Sequence, residues 1–494
     1  MNKQHTTTRI ADIALLGILF CVLFLTYLGV RPLFTPDEGR YAEIAREMVA
    51  SGDYITPHLN HIKYFEKPVL FYWLEAAAIH LNGLSMTSLR AVNGLLALLG
   101  CLLTYFTASK LYNRTTGLYA AIILGTSLLY FVMAHMVSLD LPVTVFIMAC
   151  LYTLLLATQT TSDQQRRYYC LSAAIAAALA VLTKGLIGIV FPLLIFGAWL
   201  TLLGQWRMIR HFSLLPAACL FFIIATPWHL LAQAHNPEFF YFYFIEQQFL
   251  RYTTAGIGHY QPNWFFIPYL ILGFFPWIAF LAQAILDATP RWKNRHTHQV
   301  ELFFLLWAGI VFAFFSFSSS KLIPYILPLF PPLAILTARY LASPNYHGFM
   351  RDRIFVITCV FTSTLLMGLL IAAPSLDTRT IRPLAMTLKP LLQPEDDVIT
   401  YHQYYQDLPF YLERRVSILD WQNELRFGMA HQDTEDWMID DATFWNRWHS
   451  QKHVFMVISL SEYRVFLINH PQEKVFVLNK TKENALVSNF QPLF

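Results

Sequence analysis

A polar stretch at residues 34–68 lies between two long apolar segments and gathers charged residues of both signs. Asp37 and Glu38 lie near its start, and Glu66 is followed directly by Lys67 near its end. Carboxylates can move a proton or hold a cation, and a lysine can bind a phosphate. In a chain this apolar, such a group predicts a functional site beside the first membrane crossing. For any single residue here, a charge solvated at the lipid headgroups is an equally good interpretation.

Other polar residues stand alone in turns between apolar segments. Asp140 begins one such segment, and a helix N-cap carboxylate would explain it structurally. Lys184 and Lys321 lie between apolar runs, where a lysine needs an acidic partner, an anionic ligand or a path to the interface. Tyr325 follows Lys321 in a Pro-rich apolar run, so a phenol lies close to this lysine in sequence.

A second polar loop, residues 233–262, adds Arg251 and His259. Aromatic residues at 264–266 follow it, which is typical of re-entry at a membrane interface. If these turns share one compartment with the first loop, they make a site of mixed sign. Such a site suits a phosphate, a bound cation and an acid or base together better than it suits an ion pore.

A short helix is predicted between the two charged groups of the first loop. Apolar residues recur at helical spacing after Glu38, namely Tyr41, Ile44, Ala45 and Met48. Charged residues occupy the opposite face, which predicts an amphipathic helix lying flat on the membrane surface. Gly52 is expected to end it, and residues 63–68 are expected to form a tight loop before the next apolar run.

Composition places the chain among all-α polytopic membrane proteins. Of its 494 residues, 56% are hydrophobic and only 13% are charged. The net charge of +4, without a long basic run, predicts no nucleic-acid partner. All six cysteines fall in apolar segments and none has a CxxC neighbour, so neither a disulfide framework nor a cysteine metal site is indicated.

Eleven membrane spans are predicted from the apolar runs, and the first is interpreted as a retained helix. They lie at residues 11–30, 89–110, 117–134, 141–158, 169–183, 186–203, 212–232, 263–287, 300–317, 322–339 and 354–373. Basic residues occur in alternate turns, which predicts that these turns and the N-terminus are cytoplasmic. The loops 31–88 and 233–262 and the tail then lie outside.

The tail, residues 374–494, is too polar for a membrane and predicts a soluble α/β domain after a transmembrane domain at 1–373. Alternating segments at 396–401, 415–419, 453–459 and 474–478 predict strands, and 461–469 predicts a helix. The tail has no Gly-rich phosphate loop, HExxH or nucleophile elbow, so substrate access or structural support is its expected task.

Five segments resemble the aminoarabinose transferases, lipid-carrier-dependent glycosyltransferases of the GT-C fold that are related to the protein O-mannosyltransferases. They are Asp37–Tyr41, Phe65–Trp73, Leu182–Gly185, Lys321–Pro328 and Asp407–Arg414. The resemblance implies up to thirteen spans and a bacterial inner-membrane enzyme whose site faces the periplasm. It also implies transfer of 4-amino-4-deoxy-L-arabinose from undecaprenyl phosphate to a lipid A phosphate, the modification behind polymyxin resistance.

The same resemblance assigns roles to individual residues. Asp37 matches the family's catalytic acidic residue and Glu38 its neighbour, and Asp140 is placed with them as a catalytic candidate. The expected ligands of the donor phosphate are Lys67, Arg251, Tyr325, Lys184 and Lys321. Glu66 and His259 resemble positions that hold a divalent cation, for which zinc is favoured by the carboxylate and imidazole donors. The chain departs from the family pattern at Glu246-Gln247-Gln248 and in the Thr253–His259 spacing.

Displacement at the anomeric carbon passes through an oxocarbenium-like state, and a single carboxylate with a lipid phosphate leaving group predicts inversion. Asp37 could act as the base or orient the nucleophile. Transfer of another sugar to a protein or another glycan is the main alternative, and a flippase for a lipid-linked substrate is a third hypothesis, although no internal repeats support it. The expected partners are the lipid-linked donor, a membrane acceptor and membrane lipids, with the protein acting as a monomer.

Overall fold

The computed structural model describes residues 3–250, 261–290, 292–343, 348–376 and 380–491. In chain order its α-helices are α1 (Lys3–Leu25), α2 (Asp37–Ser51), α3 (Leu70–Asn82), α4 (Met86–Leu111), α5 (Arg114–Thr126), α6 (Leu128–Ala134), α7 (Asp140–Gln159), α8 (Asp163–Lys184), α9 (Ile187–Leu203), α10 (Leu214–His235), α11 (Phe266–Gly273), α12 (Ile278–Ala288), α13 (Gln299–Phe317), α14 (Phe330–Ala342), α15 (Gly348–Leu376), α16 (Arg382–Leu388), α17 (Leu408–Leu412), α18 (Arg426–Met429), α19 (Asp441–Trp448) and α20 (Leu460–Asn469). A π-helix spans Tyr241–Leu250, and 3-10 helices include Trp206–His211 and Ile323–Leu329.

The strands are β1 (His58–Leu59), β2 (Ile62–Lys63), β3 (Asp397–Tyr401), β4 (Ser417–Leu419), β5 (Met438–Ile439), β6 (Val454–Ser459), β7 (Phe476–Lys480) and β8 (Asn484–Ser488). The chain divides into two compact units. Unit 1 comprises Met1–Leu28, Glu66–Phe71 and Arg90–Ile371. Unit 2 comprises Gly29–Phe65, Tyr72–Leu89 and Ala372–Phe494, so it contains most of the first loop as well as the tail.

Within the described residues, seven helical segments are long and apolar enough to cross a membrane, or up to nine if each of two bent pairs is one span. The predicted spans at 117–134 and 263–287 are these bent pairs, α5 with α6 at 66° and α11 with α12 at 105°. Ser127 breaks the first pair, and Pro276 lies in the break of the second. The count is below the predicted eleven partly because α8, which contains the predicted span at 169–183, begins with a polar segment.

Aromatic side chains dominate the core of unit 1. Trp199, Trp277 and Trp307 are fully buried, and Tyr152 contacts Trp307 edge-on at a ring distance of 5.5 Å. The indole N–H of Trp277 donates to the Thr126 hydroxyl over 2.9 Å, next to the break between α5 and α6. The indole N–H of Trp199 likewise donates to the carbonyl oxygen of Gln299 over 2.7 Å. Closely packed aromatic rings of this kind fix how the helices of this unit lie against one another.

The tail in unit 2 forms a six-stranded mixed sheet with the order β5-β4-β3-β6-β8-β7. β5, β4, β3 and β6 are parallel neighbours, whereas β8 is antiparallel to β6 and β7. Ile399, Met456 and Val487 lie in the core on one face of the sheet, packed with Phe444 and Trp448 of α19. The four predicted strands and the predicted helix of the tail are therefore confirmed, and β5 and β8 are additional strands.

Helix α2 has the predicted start and end. Asp37 and Glu38 lie in its first turn, where acidic groups interact favourably with the helix dipole, and Gly52 ends it with φ 73°. The prediction that the charged face of α2 lies at a membrane surface is wrong, because the structure buries Glu43, Glu47 and Arg46. Arg46 makes two hydrogen bonds to Glu43, of 2.7 and 2.6 Å, which compensate the charges of these two residues, and Glu47 accepts the backbone N–H of His61.

Glu75 of α3 is a buried carboxyl group in unit 2. It is fully buried, and neither oxygen has a hydrogen-bond partner among the described residues. Burial and the nearby charge of Glu38 raise the pKa of Glu75 well above its ordinary value. Burial in the folded protein therefore favours the protonated form of the Glu75 carboxyl group.

We expect Glu75→Gln to stabilise the protein increasingly as the pH rises. A carboxyl group with a raised pKa in the folded state does not lower the free energy of unfolding below its unfolded-state pKa of about 4.3. Above that pH the free energy of unfolding falls by about 1.4 kcal/mol per pH unit, up to the folded-state pKa. Thermal unfolding of the purified protein between pH 4.5 and 8 measures this trend, with Glu435→Gln at an exposed position as the control. A Tm difference between Glu75→Gln and the parent that is independent of pH would contradict a raised pKa of Glu75 in the folded protein.

Candidate active site

Asp37 is the first residue of α2 and has a side chain that is 51% exposed. A guanidinium nitrogen of Arg40 lies 3.3 Å from its carboxylate, three residues further along the helix. Arg40 also forms an ion pair with Glu424, and Glu424 accepts a hydrogen bond of 2.8 Å from Gln406. Asp37 is therefore an accessible carboxylate next to a cation that residues of the tail hold in place within unit 2.

Glu38 is the neighbour of Asp37 but has a different environment. Its side chain is fully buried and forms an ion pair of 2.5 Å with Arg31. It also accepts a hydrogen bond of 2.9 Å from the backbone N–H of Phe34. These contacts close the turn at residues 34–38 and orient the start of α2, so the geometry makes Glu38 a positioning group for Asp37.

Unit 1 brings together three candidates that are far apart in sequence. Lys184 at the end of α8 forms an ion pair with Asp140 at the start of α7. The Lys184 ammonium also lies 4.6 Å from the centre of the Tyr325 ring. The N-cap interpretation of Asp140 is wrong, because Leu139 is the N-cap residue and the Asp140 carboxylate is bonded to Lys184 and to the Ser138 hydroxyl. Lys184 thus has the acidic partner that the sequence could not identify.

Lys321 is bound to backbone carbonyl groups of unit 1. Its side chain donates to the carbonyl oxygens of Gln261 at 2.7 Å and Ser318 at 2.6 Å. The residue is only 2% exposed, and burial lowers the pKa of its ammonium. Lys321 therefore fixes Gln261 against the turn after α13. These two hydrogen bonds use ammonium donors that a phosphate would need.

Two residues that support the site were not predicted. Asn93, buried in α4, donates to the carbonyl oxygens of Met136 at 2.5 Å and Ser138 at 2.8 Å, which holds the turn before Asp140. A buried amide within an apolar helix is the sequence signal that could have identified it. The second residue is Arg40, whose position one helical turn after Asp37 was the available signal.

The predicted metal ligands are only partly described by the structure. Glu66 and Lys67 are both half-buried, and the Lys67 ammonium donates to the Glu66 carbonyl oxygen over 3.0 Å. Arg251 and His259 lie outside the described residues. In the part of the chain that the structure covers, no three or more His, Cys, Asp or Glu side chains come together as a metal site. The pairing of Glu66 with His259 stays a prediction.

Comparison with known proteins identifies the relatives of this chain. The family model described as dolichyl-phosphate-mannose-protein mannosyltransferase matches residues 12–244, and the aminoarabinose transferase C-terminal domain matches residues 384–485. A crystal structure of ArnT from Cupriavidus metallidurans bound to undecaprenyl phosphate is similar with a TM-score of 0.83, covering 97% of this chain and 98% of that chain at 25% identity. The chain belongs to the aminoarabinose transferase family. It has the family's GT-C fold, as the sequence predicted.

Two curated members of the aminoarabinose transferase family illustrate the similarity in sequence. Both are named undecaprenyl phosphate-α-4-amino-4-deoxy-L-arabinose arabinosyl transferase. The protein from Erwinia tasmaniensis is 31% identical over 330 residues, which are 66% of this chain and 58% of that protein. The first of two from Proteus mirabilis is 35% identical over 328 residues, which are 66% of this chain and 59% of that protein. The match therefore spans less than two thirds of the length of these relatives.

We expect Asp140 and Lys184 to be energetically coupled. Both side chains are largely buried, so removing one charge leaves the other uncompensated. Asp140→Asn and Lys184→Gln should each destabilise the protein, and the double variant should recover about 0.5–3 kcal/mol of the summed losses in thermal unfolding.

The ion pair of Asp163 and Arg166, in which the carboxylate is exposed, is the control for this cycle. Its coupling should be no more than about 0.5 kcal/mol, because the 93% exposed carboxylate is well solvated. Equal coupling energies for the two pairs would contradict a partly desolvated ion pair at Asp140 and Lys184.

Proposed function

We propose that the protein transfers 4-amino-4-deoxy-L-arabinose from undecaprenyl phosphate to a phosphate of lipid A. The observation that carries this proposal is the similarity over 97% of the chain to ArnT bound to undecaprenyl phosphate. We place the enzyme in the bacterial inner membrane as a monomer, with its chemistry on the periplasmic side. The basic residues in alternate turns support this orientation.

In this reaction the bond between the anomeric carbon and the carrier phosphate breaks, and a phosphate oxygen of the acceptor forms the new bond. Undecaprenyl phosphate leaves with the bonding electron pair, and a single displacement inverts the anomeric carbon. The acceptor phosphate is already ionised near neutral pH, so Asp37 is not required to remove a proton from it. Its accessible carboxylate can stabilise the positive charge that develops on the sugar or orient the amino sugar for attack.

Cationic side chains stabilise the departing carrier phosphate in this proposal. Lys67 is the first of these, and the family resemblance implies Arg251 as a second phosphate ligand. Lys184 uses one N–H on Asp140, and an ammonium has three donors, so it can also bind a phosphate oxygen. Tyr325 contacts this ammonium through its ring, and its hydroxyl makes no hydrogen bond within the described residues. Lys321, with two donors on backbone carbonyls, holds Gln261 and Ser318 in place.

Asp37→Asn is expected to abolish transfer while leaving the fold intact. The side chain is half-exposed and contributes no core packing, so its loss should act on turnover and leave the Tm within about 1 °C of the parent. Turnover of purified enzyme with lipid-linked donor and lipid A measures the effect. Asp420→Asn, at an exposed position of unit 2, should retain full activity. Near-normal turnover of Asp37→Asn would remove Asp37 from the catalytic set.

Lys67→Ala is expected to weaken binding of undecaprenyl phosphate by about 1.5–3 kcal/mol, the contribution of a charge-assisted hydrogen bond. The KM for the donor should rise at least as much as kcat falls, because the bond exists in the ground state as well as in the transition state. Lys293→Ala, at an exposed position in a predicted cytoplasmic turn, is the control. An unchanged affinity in Lys67→Ala would make Lys67 an interfacial charge only.

We propose further that Glu66 and His259 hold a divalent cation, for which zinc suits their oxygen and nitrogen donors. The half-buried position of Glu66 beside Lys67 is compatible with a bound ion that keeps open coordination positions for water or phosphate. When bound, the ion would polarise phosphate oxygens as a Lewis acid.

Metal analysis by mass spectrometry of purified Glu66→Ala and His259→Ala tests this assignment. Each variant should lose bound zinc, and the double variant should lose little more activity than either single one, because both act through one ion. Glu435→Ala should keep the metal content of the parent. An unchanged metal content in both variants would exclude this ligand pair.

A second candidate function is transfer of a sugar from a polyprenyl phosphate to a protein, which the mannosyltransferase family match at residues 12–244 favours. Purified protein incubated with lipid-linked aminoarabinose and either lipid A or a Ser/Thr-rich peptide separates the two candidates by mass spectrometry. Modified lipid A and unmodified peptide are the expected result. A modified peptide with unmodified lipid A would overturn the proposal in favour of the second candidate.

A further inference from the structure

A polar cleft of about 760 Å³ lies within unit 2, and its lining residues do not include Asp37. One wall comes from the C-terminal half of α2 and the β1–β2 turn, with Arg46, Ala50 and His61. The other walls come from the tail and comprise Pro394–Asp397, Glu413–Ser417, Asp436, Arg447 and Lys452. Its volume is in the range of clefts that bind small ligands.

The walls of the cleft are held by internal ion pairs. Arg46 is bound to Glu43, and Arg447 is bound to Asp397 over 2.6 Å. Glu47 accepts the backbone N–H of His61 over 3.0 Å, which ties the β1–β2 turn to α2. Two further lining carboxylates have partners, because Glu413 pairs with Lys389 at 2.5 Å and Asp396 lies 3.5 Å from His453. These ion pairs stiffen the walls of the cleft. Because their charges compensate one another, the paired residues attract a charged ligand only weakly.

Three cations of the cleft lack a carboxylate partner among the described residues. Arg414 donates to the backbone carbonyl oxygens of residues 393, 394 and 396, which shapes the wall. The Arg415 guanidinium stacks on the Trp437 ring at 4.2 Å and is otherwise exposed. Lys452 is exposed, and its side chain makes no ion pair or hydrogen bond in the part of the chain that the structure describes.

Two exposed carboxylates, Glu395 and Asp436, lie in the same cleft without a cationic partner among the described residues. A guanidinium on an aromatic ring keeps its planar N–H edge available for bidentate binding of a phosphate or carboxylate. Carboxylates accept hydrogen bonds from hydroxyl groups. His61 also lines the cleft, where burial and the nearby Arg415 and Arg46 lower the pKa of its imidazole.

We propose that this cleft binds an anionic saccharide, with Arg415 and Lys452 on its phosphate or carboxylate group and Glu395 and Asp436 on its hydroxyl groups. A simple anion has no hydroxyl groups to donate to the carboxylates, and a neutral sugar has no charge to pair with the cations. The assignment of this saccharide to the sugar headgroup of the acceptor rests on the proposed function.

Helix α2 connects this cleft to the candidate catalytic residue. Asp37 is its first residue, and Arg46 lies about 14 Å further along the axis at ~1.5 Å per residue. An α-helix keeps such a distance fixed. A saccharide bound at the cleft is therefore held at a set distance from Asp37 along the helix axis, which suits an acceptor with more than one sugar.

Titration of the full-length protein in detergent with a phosphorylated glucosamine disaccharide tests the proposal. The dephosphorylated disaccharide and inorganic phosphate should each bind about tenfold more weakly or worse, since each lacks one of the two recognised groups. Detergent micelles that contain lipid A should compete with the disaccharide, whereas micelles that contain phosphatidylglycerol should not. Competition by phosphatidylglycerol, or equal affinity for inorganic phosphate, would overturn the assignment.

The double variant Arg415→Ala/Lys452→Ala should weaken disaccharide binding about tenfold or more while the protein stays folded. Arg464→Ala, an exposed cation on α20, is the matched control and should bind normally. Equal affinity of the double variant and the parent would refute the cleft as the binding site. This experiment measures binding and not transfer. A parent protein that binds the disaccharide but transfers no sugar would count against the proposed function and leave the cleft assignment standing.

Discussion

A charge that leaves water must be compensated, and this constraint explains most of the polar structure in an apolar chain. Three ion pairs do this, namely Arg46 with Glu43, Arg31 with Glu38 and Lys184 with Asp140. Lys321 instead donates hydrogen bonds to backbone carbonyl groups. Asp37 differs from these groups because its side chain is 51% exposed and its neighbour Arg40 also serves Glu424. The compensated residues therefore build the frame, and Asp37 is left accessible for chemistry.

Helix α2 connects several of these contacts in unit 2. Its first residue is the accessible Asp37, its second is the buried Glu38, and its later turns carry Glu43, Arg46 and Glu47. Gly39 faces the backbone of Asp407 so closely that a Cβ would lie 2.6 Å from its nitrogen. Such a contact requires glycine, and it joins the first loop to the tail. A tail that packs on α2 in this way has a structural task besides any role in binding.

Local patterns predicted the elements well, whereas long-range partners could not be predicted. The spacing of Tyr41, Ile44 and Met48 and the position of Gly52 were sufficient to place α2. The partner of Lys184 is Asp140, which lies 44 residues earlier, and no periodicity links the two. The same limit explains the wrong prediction of a solvated charged face on α2, because residues of the tail, far away in sequence, bury that face.

The membrane spans illustrate a second physical limit. Hydropathy recognises an apolar run but not a bend within it, so two spans that were predicted as continuous are pairs of helices at 66° and 105°. The individual residues of the site were named mainly through the family resemblance, since spacing alone could not separate Asp37 from other interfacial charges. Asn93 was missed because its role depends on the turn at Met136–Ser138, which only the fold brings near.

The proposed activity has a direct chemical consequence in cells. Mass spectrometry of lipid A from cells that lack this protein, compared with the same cells that express it, measures that consequence. The account predicts lipid A that carries aminoarabinose on phosphate only when the protein is present. Identical lipid A in both strains, with lipid-linked aminoarabinose available in each, would contradict the account.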